Sequence, residues 1–117
     1  MSVRKRILLV APNPDLLHSR ILESAGYEVA SASSVSEARR VWKPGNYALV
    51  IITANPESAE ALEFCEELKL AYPPQSVALL TGWYTYLPKD SCPDAAISRV
   101  DGPEHFLARV GELVATA

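Results

Sequence analysis

This chain is short of the residues that usually carry chemistry. It holds two cysteines and two histidines in 117 residues. Cys65 and Cys92 have no CxxC spacing and are too few for a disulfide framework, so reduced thiols in a cytoplasmic protein are expected. Cys65 falls on the apolar stripe of a predicted helix, where a small buried hydrophobe is the default. Cys92 stands beside Pro93 in a loop. His18 is expected near the exposed side of the first helix and His105 on the last, neither with ligand spacing or a nucleophile in reach. A Gly-rich phosphate loop is absent. The net charge of -3 supplies no field for gripping nucleic acid, and the cluster Arg4, Lys5 and Arg6 reads as the solvated lead-in to a strand. Near the N-terminus the longest apolar run is Ile7 to Ala11, too short for a signal peptide or a membrane span.

What is present is a regular alternation of strand-like and helix-like runs over a length suited to a single domain, residues 1–117. "RILLVA" predicts a first strand. Asn13 and Pro14 then suit the cap and first position of a helix that runs to about Ala25, with Leu17, Ile21 and Ala25 buried and Gly26 ending it. "YEVASA" is a more polar strand suited to a sheet edge. Ser34 and Glu37 form a capping-box pattern for helix 2, which turns Ala38, Val41 and Trp42 inward before "KPG".

"YALVIIT" is continuously apolar, as expected of a central strand covered on both faces. A third helix follows "ANPES" with Leu62, Cys65 and Leu68 inward, and "SVALLT" makes the fourth strand. Periodicity fails from Gly82 to Pro93, so a fourth helix is expected to be short or missing there. "AAIS" is a short fifth strand. Pro103 opens a last helix that buries Phe106, Leu107, Val110 and Val114. Right-handed crossovers then give a three-layer, doubly wound, five-stranded parallel sheet with its crevice at the carboxyl ends of the strands.

The strings "RILLVAPNPDLLHSRILESAGYEVASASSVSEARRVW", "YALVIIT", "SVALLTG" and "GPEHFLARVGELV" resemble a response regulator receiver domain over Arg4 to Val114. That resemblance implies the flavodoxin-like strand order 2-1-3-4-5. It also implies a site where an aspartate after strand 3 takes a phosphoryl group from a histidine kinase, with Mg²⁺ held by that aspartate and an acidic pair after strand 1. Carried over residue by residue, the acidic pair falls on Ala11 and Pro12 and the phosphoacceptor on Thr53. The strand 4 hydroxyl is kept as Thr81. The lysine becomes Arg99, its proline becomes Val100, and the aromatic switch falls on Ala96.

Mg²⁺ needs hard oxygen ligands, so Ala11, Pro12 and Thr53 lead to the expectation of no metal and no cofactor. A threonine hydroxyl needs a base to accept a phosphoryl group, and none is predicted beside Thr53; Asp15 and Glu57 read instead as first-turn residues favoured by their helix dipoles. The Arg99–Val100 bond is expected to be trans. Trp83, Tyr84 and Tyr86 are amphipathic groups of the kind enriched at interfaces, next to the surface receivers use for partners; Trp83 reads first as folding over the sheet with an interface role as its alternative, and Tyr84 and Tyr86 the other way round.

The leading expectation is a stand-alone degenerate receiver, not an enzyme, that acts in two-component or phosphorelay signalling by protein contact without aspartyl phosphorylation. Its partner is a signalling kinase, an output protein or a second copy, with no nucleic acid and no membrane involved. One alternative is residual or unconventional phosphoacceptor activity. The other is a small-anion or nucleotide sensor in which Thr53, Thr81 and Arg99 bind the anion.

Overall fold

The computed structural model describes residues 5–11, 16–54, 58–82 and 92–115. Five strands, β1 (Arg6–Val10), β2 (Glu28–Ala32), β3 (Leu49–Thr53), β4 (Ser76–Thr81) and β5 (Ala95–Ser98), form one sheet in the order β2-β1-β3-β4-β5. Every pairing is parallel. Among the described residues four α-helices accompany them: α1 (Leu16–Ser24), α2 (Val35–Val41), α3 (Ala59–Ala71) and α4 (Gly102–Ala115), the last preceded by a 3₁₀ turn over Arg99–Asp101.

The apolar strands explain the layering. Consecutive side chains of a strand point to opposite faces, so a strand covered on both sides must be apolar at every position. Val50, Ile52, Val77 and Leu79 face one core together with Ala61, Phe64, Cys65 and Leu68 of α3 and Ala38 of α2. Leu49, Ile51, Ala78 and Leu80 face the other, closed by Leu22 of α1 and by Phe106 and Val110 of α4. β2 is more polar because it lies at the edge, where Glu28 and Ser31 are exposed.

Helix boundaries follow local chemistry. Gly26, at φ +96°, takes the left-handed conformation that lets its own amide reach the Glu23 carbonyl and the Tyr27 amide reach Leu22, which satisfies the orphan carbonyls ending α1. The Oγ of Ser34 caps α2 by accepting from the Glu37 amide at 3.1 Å. The reciprocal half of the expected capping box is displaced by one residue: the Glu37 carboxylate accepts from the hydroxyl and amide of Ser33, at 2.6 and 3.3 Å. Ser58 caps α3 through the Ala61 amide.

The predicted face of α1 is corrected. Leu17 is exposed at 66% and Ala25 is exposed, whereas His18 and Leu22 are buried and Ile21 is half-buried. The expectation of a solvated His18 fails for the same reason. Its imidazole meets the Phe106 ring edge-on, with centroids 4.9 Å apart, so the ring packs between α1 and α4. In α3 the buried positions are Ala61, Phe64, Cys65 and Leu68, and Leu62 is only half-buried. In α4 Leu113 is buried alongside Phe106, Val110 and Val114, while Leu107 is half-buried. His105 is on the surface, 3.4 Å from the Asp101 carboxylate. Among the described residues no helix is long and apolar enough to cross a membrane.

Candidate functional site

Parallel strands of this order deliver their carboxyl ends to a single edge of the sheet, and the registers fix which residues arrive there. Val10 pairs with Ile52, Thr53 with Leu80, and Thr81 with Ser98. Ala11, Thr53, Thr81 and Arg99 therefore all stand at the ends of their strands on the same edge. Ala11 continues the ladder, its amide donating to the Ala32 carbonyl at 2.9 Å. Pro12 lies outside the described residues, as do Asn13, Pro14, Asp15 and Glu57.

Among the described residues, side-chain chemistry at this edge is sparse. Ala11 is a buried methyl. Thr53 is half-buried, but its Oγ1 is sealed from solvent and finds no hydrogen-bond partner among the described residues. A buried hydroxyl in that condition loses its water and gains nothing in return. Thr81 is itself buried, and its hydroxyl donates to the Ile97 carbonyl at 3.4 Å, toward β5. Arg99 is exposed on the 3₁₀ turn, which Ser98 caps by accepting from the Val100 amide at 3.3 Å. The Arg99–Val100 peptide is trans. Ala96, half-buried in β5, pairs with Leu79 and has no ring to swing.

A cavity of about 230 Å³ opens at this edge, between the ends of β1 and β3 and the first turns of α2 and α3. Val10, Ile52, Thr53, Ser33, Ser34 and Ser58 are among its lining residues, and Glu60 is its one charged residue among those described. The serine hydroxyls are already engaged by the caps at Glu37 and Ala61. Thr53 lines this cavity, whereas Thr81 and Arg99 do not. The three residues of the expected anion site thus share an edge of the sheet but not this cavity.

Set against the donor set of Mg²⁺, Ala11 and Thr53 bring no carboxylate. The ion takes carboxylate and other hard oxygens in near-octahedral geometry, and here it would meet the Ala11 methyl and a threonine oxygen already shut away from solvent. Among the described residues no three His, Cys, Asp or Glu side chains are grouped to hold a metal ion.

Several residues that organise the structure carried no signal in the sequence. Gln75 is buried; its Nε2 donates to the carbonyls of Tyr47 and Ser76, and its Oε1 accepts from Trp42 Nε1 at 2.9 Å. Cys65 and Cys92 face each other, with the Cys92 thiol donating to the Cys65 sulfur at 2.7 Å. Trp83, Tyr84 and Tyr86 lie outside the described residues, as does most of the segment in which a short or missing helix is expected.

No family model and no curated protein matches the sequence. Solved structures do. A response regulator receiver domain protein from Clostridium thermocellum superposes with a TM-score of 0.80 at 19% identity, over 95% of this chain and 94% of that one. The chemotaxis protein CheY4 of Vibrio cholerae gives 0.80 at 19% identity, over 95% and 99%. The response regulator TrrA of Thermotoga maritima, in complex with Mg²⁺ and BeF, gives 0.78 at 28% identity, over 93% and 98%. The fold is that of receiver domains.

Proposed function

We propose that this chain is a degenerate receiver domain, a signalling module of two-component or phosphorelay type that acts by protein contact and not by aspartyl phosphotransfer. The fold supports the first half of this reading, since a complete five-stranded receiver architecture is present with its carboxyl-edge crevice.

The state of Thr53 supports the second half. Thr53 stands where the resemblance puts the phosphoacceptor, and its hydroxyl is buried and has no partner among the described residues. A hydroxyl nucleophile needs access to the donor and a base to take its proton. The charge that develops on a transferring phosphoryl group needs a cation to stabilise it. Ala11 and Thr53 offer no carboxylate to hold that cation. On this reading the protein binds no Mg²⁺ and is not an enzyme.

Its output is then a complex with a protein partner: a signalling kinase, an output protein or a second copy of the chain. The face running from β4 to α4 is the proposed surface. Val100, 54% exposed on the 3₁₀ turn before α4, offers an apolar point there.

Incubation with a small acyl phosphate and Mg²⁺, followed by intact mass spectrometry, tests the reading. An unchanged mass is expected. A Mg²⁺-dependent gain of one phosphoryl group would favour the phosphoacceptor alternative and remove the proposal.

A further inference from the structure

The two cysteines lie 27 positions apart, yet the fold brings them together. Cys65 sits in the middle of α3, fully buried against the sheet. Cys92 belongs to the short segment leading into β5 and is half-buried. Their sulfurs are 2.7 Å apart, both thiols are free, and both belong to the same core, Cys92 at its margin.

The segment carrying Cys92 is held in register. The Asp94 amide donates to the Val77 carbonyl and its carboxylate accepts from the Val77 amide, both at 2.8 Å, while Lys69 of α3 binds the same carboxylate at 2.9 and 2.8 Å. The meeting of the thiols is therefore fixed from both sides. On the outside, a shallow cavity of about 360 Å³ lined by Glu66, Lys69, Leu70 and Cys92 opens Cys92 to small molecules, while Cys65 stays buried behind it.

We propose that Cys65 and Cys92 form a reversible intramolecular disulfide, a redox-responsive clamp between α3 and the lead-in to β5, with a small-molecule disulfide of the glutathione type as oxidant. This goes beyond the signalling reading above and stands whether or not that reading holds.

The chemistry balances in two exchanges. Cys92, reached through the outer cavity, loses its proton and attacks one sulfur of the oxidant; a Cys92 mixed disulfide forms and one thiolate leaves. Cys65 then loses its proton and attacks the Cys92 sulfur, and the second thiolate leaves. Two protein thiols are oxidised by two electrons, the oxidant is reduced to two thiols, and the two protons pass to those thiols. Burial, and then the neighbouring Cys92 thiol, hold Cys65 well above the ordinary thiol range, so it is suited to the second step and not to first attack. Its small thiolate fraction is offset by its fixed position beside the bond it must break. Intracellular disulfides of ordinary organisms are mostly transient and redox-sensing, and a pair of free thiols on one domain fits that use.

The test equilibrates the full chain in graded mixtures of reduced and oxidised glutathione, quenches with acid, blocks free thiols with N-ethylmaleimide and reads intact mass and a proteolytic map. The expected product is a monomer lacking two hydrogens, taking up no maleimide, and giving one peptide pair joined through Cys65 and Cys92. Dithiothreitol restores both thiols. Closing a loop of this size raises the thermal midpoint by about 10 °C over the reduced protein. Cys92→Ser shows no such rise with oxidant, and Cys65→Ala stops at a glutathione adduct on Cys92. Because Cys65→Ala opens a buried site, the wild-type peptide map decides the matter alone if that variant does not fold. Two maleimides on the protein in the most oxidising mixture, a stable glutathione adduct on wild-type Cys92, or a dimer linked through Cys92 would each overturn the proposal.

Discussion

Asp94 grips Val77 from both sides of one peptide edge: its amide donates to the Val77 carbonyl and its carboxylate accepts from the Val77 amide, each at 2.8 Å. β4 and the entry to β5 are thereby locked before the regular ladder begins at Ala78 and Ala95. Lys69 completes the arrangement from α3. Asp94→Ala leaves the Val77 amide unsatisfied and Lys69 without this partner. The expected loss is about 2 kcal/mol of unfolding free energy. Urea denaturation checks it through a lower midpoint at unchanged slope.

Gln75 fills an analogous role beside it, at the amino end of β4, where its side chain joins Trp42, Tyr47 and Ser76. Replacing it by alanine strands the Trp42 indole N–H and the Tyr47 carbonyl, at a cost of about 2 kcal/mol. A double-mutant cycle with Trp42→Phe is expected to recover about 1 kcal/mol as coupling. Strict additivity would mean that the indole bond contributes nothing.

Thr53→Val tests the sealed hydroxyl at the strand tip. The side chain keeps its shape, and the group replaced has no hydrogen-bond partner among the described residues. The variant is expected to gain about 1 kcal/mol over wild type. A clear loss of stability in thermal unfolding would show that the Thr53 hydroxyl is bonded after all.

Glu37 sets an acid-side dependence. Hydrogen bonds from the Ser33 hydroxyl and then the Ser33 amide, with the charge of Arg40 adding to them, hold its carboxyl below the usual glutamate value of 4.5. A folded-state value depressed in this way gives a contribution that is complete above the unfolded-state pKa. That contribution disappears as pH falls through the folded-state pKa. Wild type should therefore lose stability below about pH 4.5, and Glu37→Gln should show a flatter curve there, read from urea midpoints between about pH 5 and pH 3. Parallel curves would assign the acid sensitivity elsewhere.

Legibility from sequence tracked the range of the interaction. β3 and β4 could be read because unbroken apolar runs, Leu49 to Ile52 and Val77 to Leu80, have one economical solution in a covered parallel sheet. Gly26 and Ser34 could be read because caps act within a few residues. The face of α1 was misjudged because a nine-residue helix has few apolar markers and His18 was counted as polar, although its ring packs on Phe106 of a helix far along the chain. Contacts between distant residues left no local trace: Trp42 with Gln75, Lys69 with Asp94, and Cys65 with Cys92 depend on the fold having formed. The strand-tip residues were legible by register with the receiver pattern. The burial of the Thr53 hydroxyl was not, since it depends on packing around the tip.

The proposed loss of receiver chemistry is tested most directly by crystallising the protein with Mg²⁺ and beryllofluoride, the combination bound in the TrrA complex. The account predicts strand tips with no octahedral ion between Ala11 and Thr53 and no fluoride adduct on Thr53. An ion seated there, with the adduct beside it, would contradict it.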